Sequence, residues 1–209
     1  VRNVGVFLKS IPIAMFLLSN SSALASHGTG TAQASPPLPA TASTTSPSPQ
    51  PAPLSKAQIG QAITDLRSRQ LMLPIHGISA QQLKGSFYEM RGKSRHEATD
   101  ILAARNTPVH AVEDGTIGKL FLSKFGGNTI YQIDPTGQYV YYYAHLERYE
   151  PSIKEGDKVK RGQVIGFVGT SGNAPPDTPH LHFCISIMTP EKKWWQAHAI
   201  DPYEIFQHK

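Results

Sequence analysis

Three short segments of the sequence carry side chains that could hold a metal ion and move protons. In "RHEATDI", His96 and Asp100 lie four residues apart. Imidazole nitrogen and carboxylate oxygen are both ordinary zinc ligands, with bonds of about 2.0–2.2 Å. Helix propensity over "HEATDILAAR" would place this pair on one helix face. The segment is not a His-Glu-x-x-His motif, because position 100 is Asp. In "PHLHF", His180 and His182 are two residues apart. In a strand they project together, while Leu181 and Phe183 face the core. In "YYYAHL", His145 shares one face of a predicted strand with Tyr141 and Tyr143. Each segment alone is compatible with packing or solvation. Taken together, two His and one Asp fill three positions of a tetrahedral zinc and leave the fourth for water. That is the open arrangement of a catalytic site rather than a structural one. Two His remain to move protons, and spacing alone does not say which.

The segments "HEATD", "YAHL" and "HLHF", in this order and at these separations, resemble the lysostaphin/LytM-type family of zinc endopeptidases. The text between them fits as well: "TPVHAVEDGTI", "GGNTIYQID", "EGDKVKRGQVIGFVGTSG" and the closing "DPY" of residues 201–203. The resemblance covers roughly residues 85–206. It implies that His96, Asp100 and His182 are the ligands of one zinc, and that His145 and His180 are the two further active-site histidines. It implies an all-β fold, with antiparallel sheets in a sandwich or barrel-like arrangement beside a narrow groove. His96 is then on a loop and Asp100 on a strand, which overrides the helical reading of "HEATDILAAR". The implied substrate is peptidoglycan, cut in its stem peptides or cross-bridges. Tyr88, Tyr141 and Tyr143 are candidates for groove walls, each equally able to pack in the core. A rival function within the same resemblance is a catalytically inactive regulator that binds and activates a cell-wall amidase; the five polar residues kept here argue for the enzyme.

The sequence departs from the family pattern in places. Ala98 stands where the family commonly has Gly, and Cys184 where it often has Glu. Cys184 follows the period of His180 and His182, so it is either a soft ligand or, as favoured here, a small buried filler. The loop "NAPPDTP" before His180 is rich in Pro. The remaining histidines, His27, His76, His110, His198 and His208, are isolated in the sequence and need no special role.

These residues must be positioned by the elements around them. Ser55 is a plausible N-cap, and Ile59, Ala62, Ile63 and Leu66 keep helical spacing up to Pro74. Residues 54–84 thus read as a helix and a connecting segment, and residues 85–209 as the metallopeptidase domain. From about residue 107 short β-rich runs alternate with turns. Asp114-Gly115 is a hairpin signal, and Asp134-Pro135-Thr136-Gly137 separates two further runs. "DKVKRGQVIGFVGTSG" adds two short strands and "HLHFCISIM" another. Many short strands indicate an all-β domain.

The first 25 residues have the layout of an export signal: Arg2 and Lys9, the apolar run Ile11–Leu18, and Ala23-Leu24-Ala25 before Ser26. The apolar run is shorter than a membrane span of about 20 residues. The expected location is the periplasm, the cell envelope or the extracellular space. Residues 26–53 are rich in Ala, Ser, Thr and Pro, and lack the apolar surface to offset ordering entropy. They read as a disordered linker. The 209-residue chain has one cysteine, so no intrachain disulfide can form. Its formal charge is +5, and removal of Arg2 and Lys9 lowers this to +3. That mild excess suits dwelling near an anionic polymer. Nucleic acid is not expected, because the densest basic run, Arg91 to Arg95, holds three charges and reads as a solvated loop. A monomer is expected.

Overall fold

The computed structural model describes residues 53–207. The expected export signal and nearly all of the expected linker lie outside the described residues. Among those residues no helix is long and apolar enough to cross a membrane.

The chain begins with α1 (Lys56–Ser68), started by a capping box. The Ser55 hydroxyl accepts from the Gln58 N–H (3.2 Å), and Gln58 Oε1 accepts from the Ser55 N–H (2.9 Å). Two orphan donors of the first turn are thereby satisfied. Ala62 and Leu66 face the core, as their spacing implied. The helix ends at Ser68, before Pro74. Arg69 turns extended, and its guanidinium bridges Asp65 (3.0 Å), Glu113 (3.2 Å) and Asp134 (2.9 Å). Leu71 and Ile75 then enter the core from the irregular segment after the helix. A one-turn 3₁₀ helix, Ala80–Gln82, follows.

The strands are β1 (Met90–Arg91), β2 (Ser94–Arg95), β3 (Thr99–Leu102), β4 (Pro108–His110), β5 (Gly115–Ser123), β6 (Gly127–Ile133), β7 (Tyr139–Tyr149), β8 (Lys158–Val159), β9 (Val164–Val168), β10 (His180–Ile187) and β11 (His198–Ile200). The short helix α2 (Pro202–Phe206) closes the described chain. All named pairings are antiparallel. Strands β1 and β2 form a separate hairpin, and the rest join one sheet system with the path β11-β10-β7-β6-β5-β8. Strand β3 pairs with β10, and β9 pairs with both β4 and β7. The all-β expectation holds, and "HEATDILAAR" is not helical.

Asp114-Gly115 does not make the expected hairpin. Strand β4 pairs with β9, whereas β5 pairs with β6 and β8. The Asp114 carboxylate instead accepts from the Arg161 N–H (2.9 Å) and from Lys160 (2.8 Å), so it anchors the β8–β9 turn. Asp134 does serve a hairpin. Its buried carboxylate accepts from the Thr136 and Tyr139 N–H groups between β6 and β7.

Strand β7 changes partner partway along its length. Ala144 still pairs with His182 on β10, while Leu146 pairs with Val168 on β9. Opposite β6 the register slips at the same place: Ile130 faces Tyr143 and Asn128 faces Leu146. The extra residue makes a β-bulge, and His145 sits in it with φ of 59°. The bulge breaks the period-two alternation, so His145 and Tyr143 do not share a face. Tyr141 and Tyr143 are each 0% exposed and belong to the core, which removes both from the groove wall. The Tyr143 hydroxyl donates to Gln132 Oε1 (2.7 Å) and accepts from the Val112 N–H (3.2 Å). Tyr141 donates to Glu113.

Replacing Tyr143 with Phe leaves two buried polar groups without a partner. The expected cost is about 1–3 kcal/mol, read as a lower denaturation midpoint. Unchanged stability with a changed KM would return Tyr143 to the groove.

Candidate active site

The β3–β10 register assembles the centre. Asp100 is the direct cross-strand partner of His182, and Leu102 of His180. Residues paired in this way present their side chains to the same face of the sheet. His180 and His182 therefore share that face with Asp100, while Leu181 and Phe183, both 0% exposed, fill the core behind. His96 comes from the loop between β2 and β3. Its backbone N–H is tied to Glu89 O (2.9 Å), and Glu97 takes φ of 56°. That left-handed residue reverses the chain between the hairpin and β3. It costs roughly 1–2 kcal/mol in a non-glycine residue, strain of the kind that gathers at functional sites.

Three ligand atoms converge. His96 Nε2 lies 3.0 Å from Asp100 Oδ1 and 3.0 Å from His182 Nδ1, and His182 Nδ1 lies 3.1 Å from Asp100 Oδ1. His96 donates its Nδ1–H to Ser86 O (3.2 Å), so its Nε2 is a lone pair aimed at a carboxylate oxygen. Electron pairs facing each other at this distance repel unless a cation lies among them. A tetrahedral ion with bonds of about 2.0–2.2 Å holds its ligands about 3.3–3.6 Å apart, a few tenths of an ångström wider than these atoms stand. The triad fits such an ion in donor set, with a small outward shift of the rings.

His145 and His180 flank the triad. Their ring centroids are 5.0 Å apart, and His145 is 5.5 Å from His182. His145 donates Nδ1–H to Ser171 O (2.9 Å), and His180 donates Nδ1–H to Thr178 O (2.8 Å). Both then keep a lone pair on Nε2. His180 Nε2 is buried without a hydrogen-bond partner, 3.9 Å from Asp100 Oδ1. Burial, with His182 and His180 adding to it, pushes His145 down to about 3. Burial also lowers His182, outweighing the upward pull of Asp100. For Asp100, burial works upward, but the pull of the neighbouring His182 and His96 rings prevails and holds the carboxyl well below the usual range. A neutral His182 beside an ionised Asp100 has the protonation states that metal ligation requires.

The His145 contact depends on two glycines. Gly127 (φ 63°) and Gly172 (φ 74°) let the turn before β6 pack backbone to backbone on the turn after β9. A Cβ on Gly127 would stand 2.1 Å from Ser171 Oγ, and one on Gly172 would stand 2.1 Å from Phe125 O. Ser171 Oγ accepts from the Asn128 N–H (2.9 Å) and donates to Leu146 O (2.6 Å), which fixes the residue whose carbonyl orients His145.

The structure brings His96, Asp100, His145, His180 and His182 together. Tyr88 is 61% exposed. Cys184 is buried, with Sγ 3.3 Å from Ser186 Oγ; it stands outside the converging atoms, and burial pushes its thiol up to about 12. His76 and His110 stack on each other at 3.6 Å and do not join the group. Two neighbours escaped the sequence reading. Arg91, read as part of a solvated loop, places Nη2 2.6 Å from Asp100 Oδ2. Tyr142 meets the His182 ring edge-on at 6.0 Å. Tyr142 lies two residues before Ala144, the cross-strand partner of His182, a register that the sequence does not give; no sequence signal links Arg91 to Asp100.

Residues 94–202 match the family model described as Peptidase family M23. The chain is 35% identical to the L-Ala–D-Glu endopeptidase of Bacillus subtilis over 145 residues, 66% of this chain and 43% of that protein. It is 39% identical over 88 residues to the peptidoglycan DD-endopeptidase ShyC of Vibrio cholerae, 42% of this chain and 19% of that protein. The chain thus spans less than half the length of these relatives. Among solved structures, the antimicrobial peptidase lysostaphin from Staphylococcus simulans superposes with a TM-score of 0.51 at 27% identity, over 66% of this chain and 55% of that one. The matched residues run from β2 to the first residue of α2 and contain every member of the converging cluster, so the chain belongs to peptidase family M23.

Proposed function

We propose that this protein is an exported zinc endopeptidase that hydrolyses peptide bonds in peptidoglycan stem peptides or cross-bridges. One observation carries the proposal: three ligand atoms at 3.0–3.1 Å share a face with two imidazoles whose Nε2 lone pairs are free. His96 Nε2, Asp100 Oδ1 and His182 Nδ1 would hold the zinc. Zinc there would polarise the scissile carbonyl and bring the pKa of a bound water toward about 7. His145 and His180 divide the remaining proton work. One accepts the proton of the attacking water at Nε2; the other, once protonated, steadies the oxyanion or donates to the leaving amine. The Ser171 and Thr178 carbonyls hold both rings in the tautomer that this needs. The relatives acting on peptidoglycan support the substrate, and the signal-like residues 1–25 support export. Retention of all five side chains favours the enzyme over an inactive regulator.

Digesting purified peptidoglycan with the protein, with and without chelator, tests this reading. New amino and carboxyl termini are expected by mass spectrometry only when about one zinc is bound per chain. A protein that stays metal-free in excess zinc contradicts it.

Substitutions should separate the roles. His96→Ala, Asp100→Ala or His182→Ala should weaken zinc binding and lower the melting temperature in zinc, because bound metal stabilises the native state by mass action. His145→Ala or His180→Ala should keep zinc and stability and lose at least about a hundredfold in kcat. Cys184→Ser should keep metal and activity. Metal loss in His180→Ala with retention in His182→Ala would invert the assignment.

A further inference from the structure

We propose that Arg91 is a docking point for a free carboxylate of the substrate, within about two residues of the bond that is cut; this rests on the endopeptidase reading above. Arg91 lies on β1, in the hairpin that precedes His96. Its Nη2 is 2.6 Å from Asp100 Oδ2, while the other oxygen of that carboxylate belongs to the ligand triad. The second ion pair of Arg91, to Glu89 Oε2 at 3.8 Å, uses the same Nη2. Nε and Nη1 therefore carry N–H donors with no hydrogen-bond partner among the described residues. The side chain is 39% exposed, so it is within reach of a ligand.

A guanidinium presents its five N–H groups in a fixed plane suited to carboxylates. Here one corner is spent on Asp100, which fixes the plane and reduces the entropy lost when a second carboxylate arrives. The guanidinium stands one carboxylate's width from the ligand triad. An anion on its free edge thus lies about two residues' length, or less, from the metal position along an extended chain. With a divalent ion in the triad, the formal charge of ion, Asp100, Arg91 and Glu89 together is positive. The centre then attracts an anionic peptide. A cross-bridge of neutral residues offers Arg91 nothing to bind, whereas a stem peptide with a free Glu carboxyl or a free C-terminus does.

The test uses the zinc-loaded full chain and synthetic stem peptides containing an L-Ala–D-Glu bond. The free carboxyl of Glu and that of the C-terminus are converted to carboxamides one at a time. The wild type is expected to cut the carboxylate form about tenfold better in kcat/KM than one of the two amides. Whichever amide is disfavoured identifies the carboxylate that Arg91 binds. Arg91→Gln should bring that ratio to about one, whatever it does to the absolute rate through Asp100, and Arg91→Lys should fall between. Equal cleavage of all three peptides by the wild type overturns the proposal without any variant. A preference that survives Arg91→Gln overturns it too. If none of the peptides is cut and peptidoglycan is also untouched, the endopeptidase reading itself fails.

Discussion

The centre depends on one pairing, the antiparallel register that sets Asp100 opposite His182. Side chains alternate along a strand, so a slip of one residue would turn Asp100 to the core and leave Thr99 facing the histidines. The core resists that slip. Leu181 and Phe183 point inward on β10 and Ile101 on β3, with almost no exposure. The apolar partners of the polar residues thus define where the ligands stand. The geometry of the cluster is, in this sense, enforced from behind.

Irregular backbone does the rest. A regular β7 would carry His145 to the Tyr143 side of the sheet, where the core is closed. The bulge inserts one residue, moves His145 to the ligand face and passes β7 from β10 to β9. On the other side of the centre, Glu97 reverses the chain so that His96 meets Asp100. Both left-handed residues are held by backbone hydrogen bonds, His145 N–H to Gly126 O (2.8 Å) and Glu97 N–H to Phe87 O (3.0 Å). The strain is borne by the surrounding sheet, which also fixes the imidazole tautomers through Ser86, Thr178 and Ser171 carbonyls.

Much of this was legible in the sequence. The alternation in "HLHF" placed two imidazoles on one face, and the motif resemblance chose the ligands among the candidates. The turn at Asp134 and the cap at Ser55 were written in local side-chain chemistry. What escaped was non-local. Tyr141 and Tyr143 looked like companions of His145 because a period of two assumes a straight strand, and nothing in "YYYAHL" announces a bulge. Asp114-Gly115 looked like a hairpin because the sequence does not say that its carboxylate is taken by Arg161, in another turn. Arg91 looked solvated because only the folded hairpin brings it to Asp100. The segments outside residues 53–207 stay as the sequence alone describes them.

The central claim is that two imidazoles and one carboxylate bind zinc while His145 and His180 stay free. X-ray absorption at the zinc edge of the zinc-loaded protein tests it most directly. The expected first shell is two imidazole nitrogens with oxygen from Asp100 and water, at about 2.0–2.2 Å. A sulfur scatterer at about 2.3 Å would bring in Cys184, and a shell of three or four imidazoles would bring in His145 or His180. Either result would contradict the account.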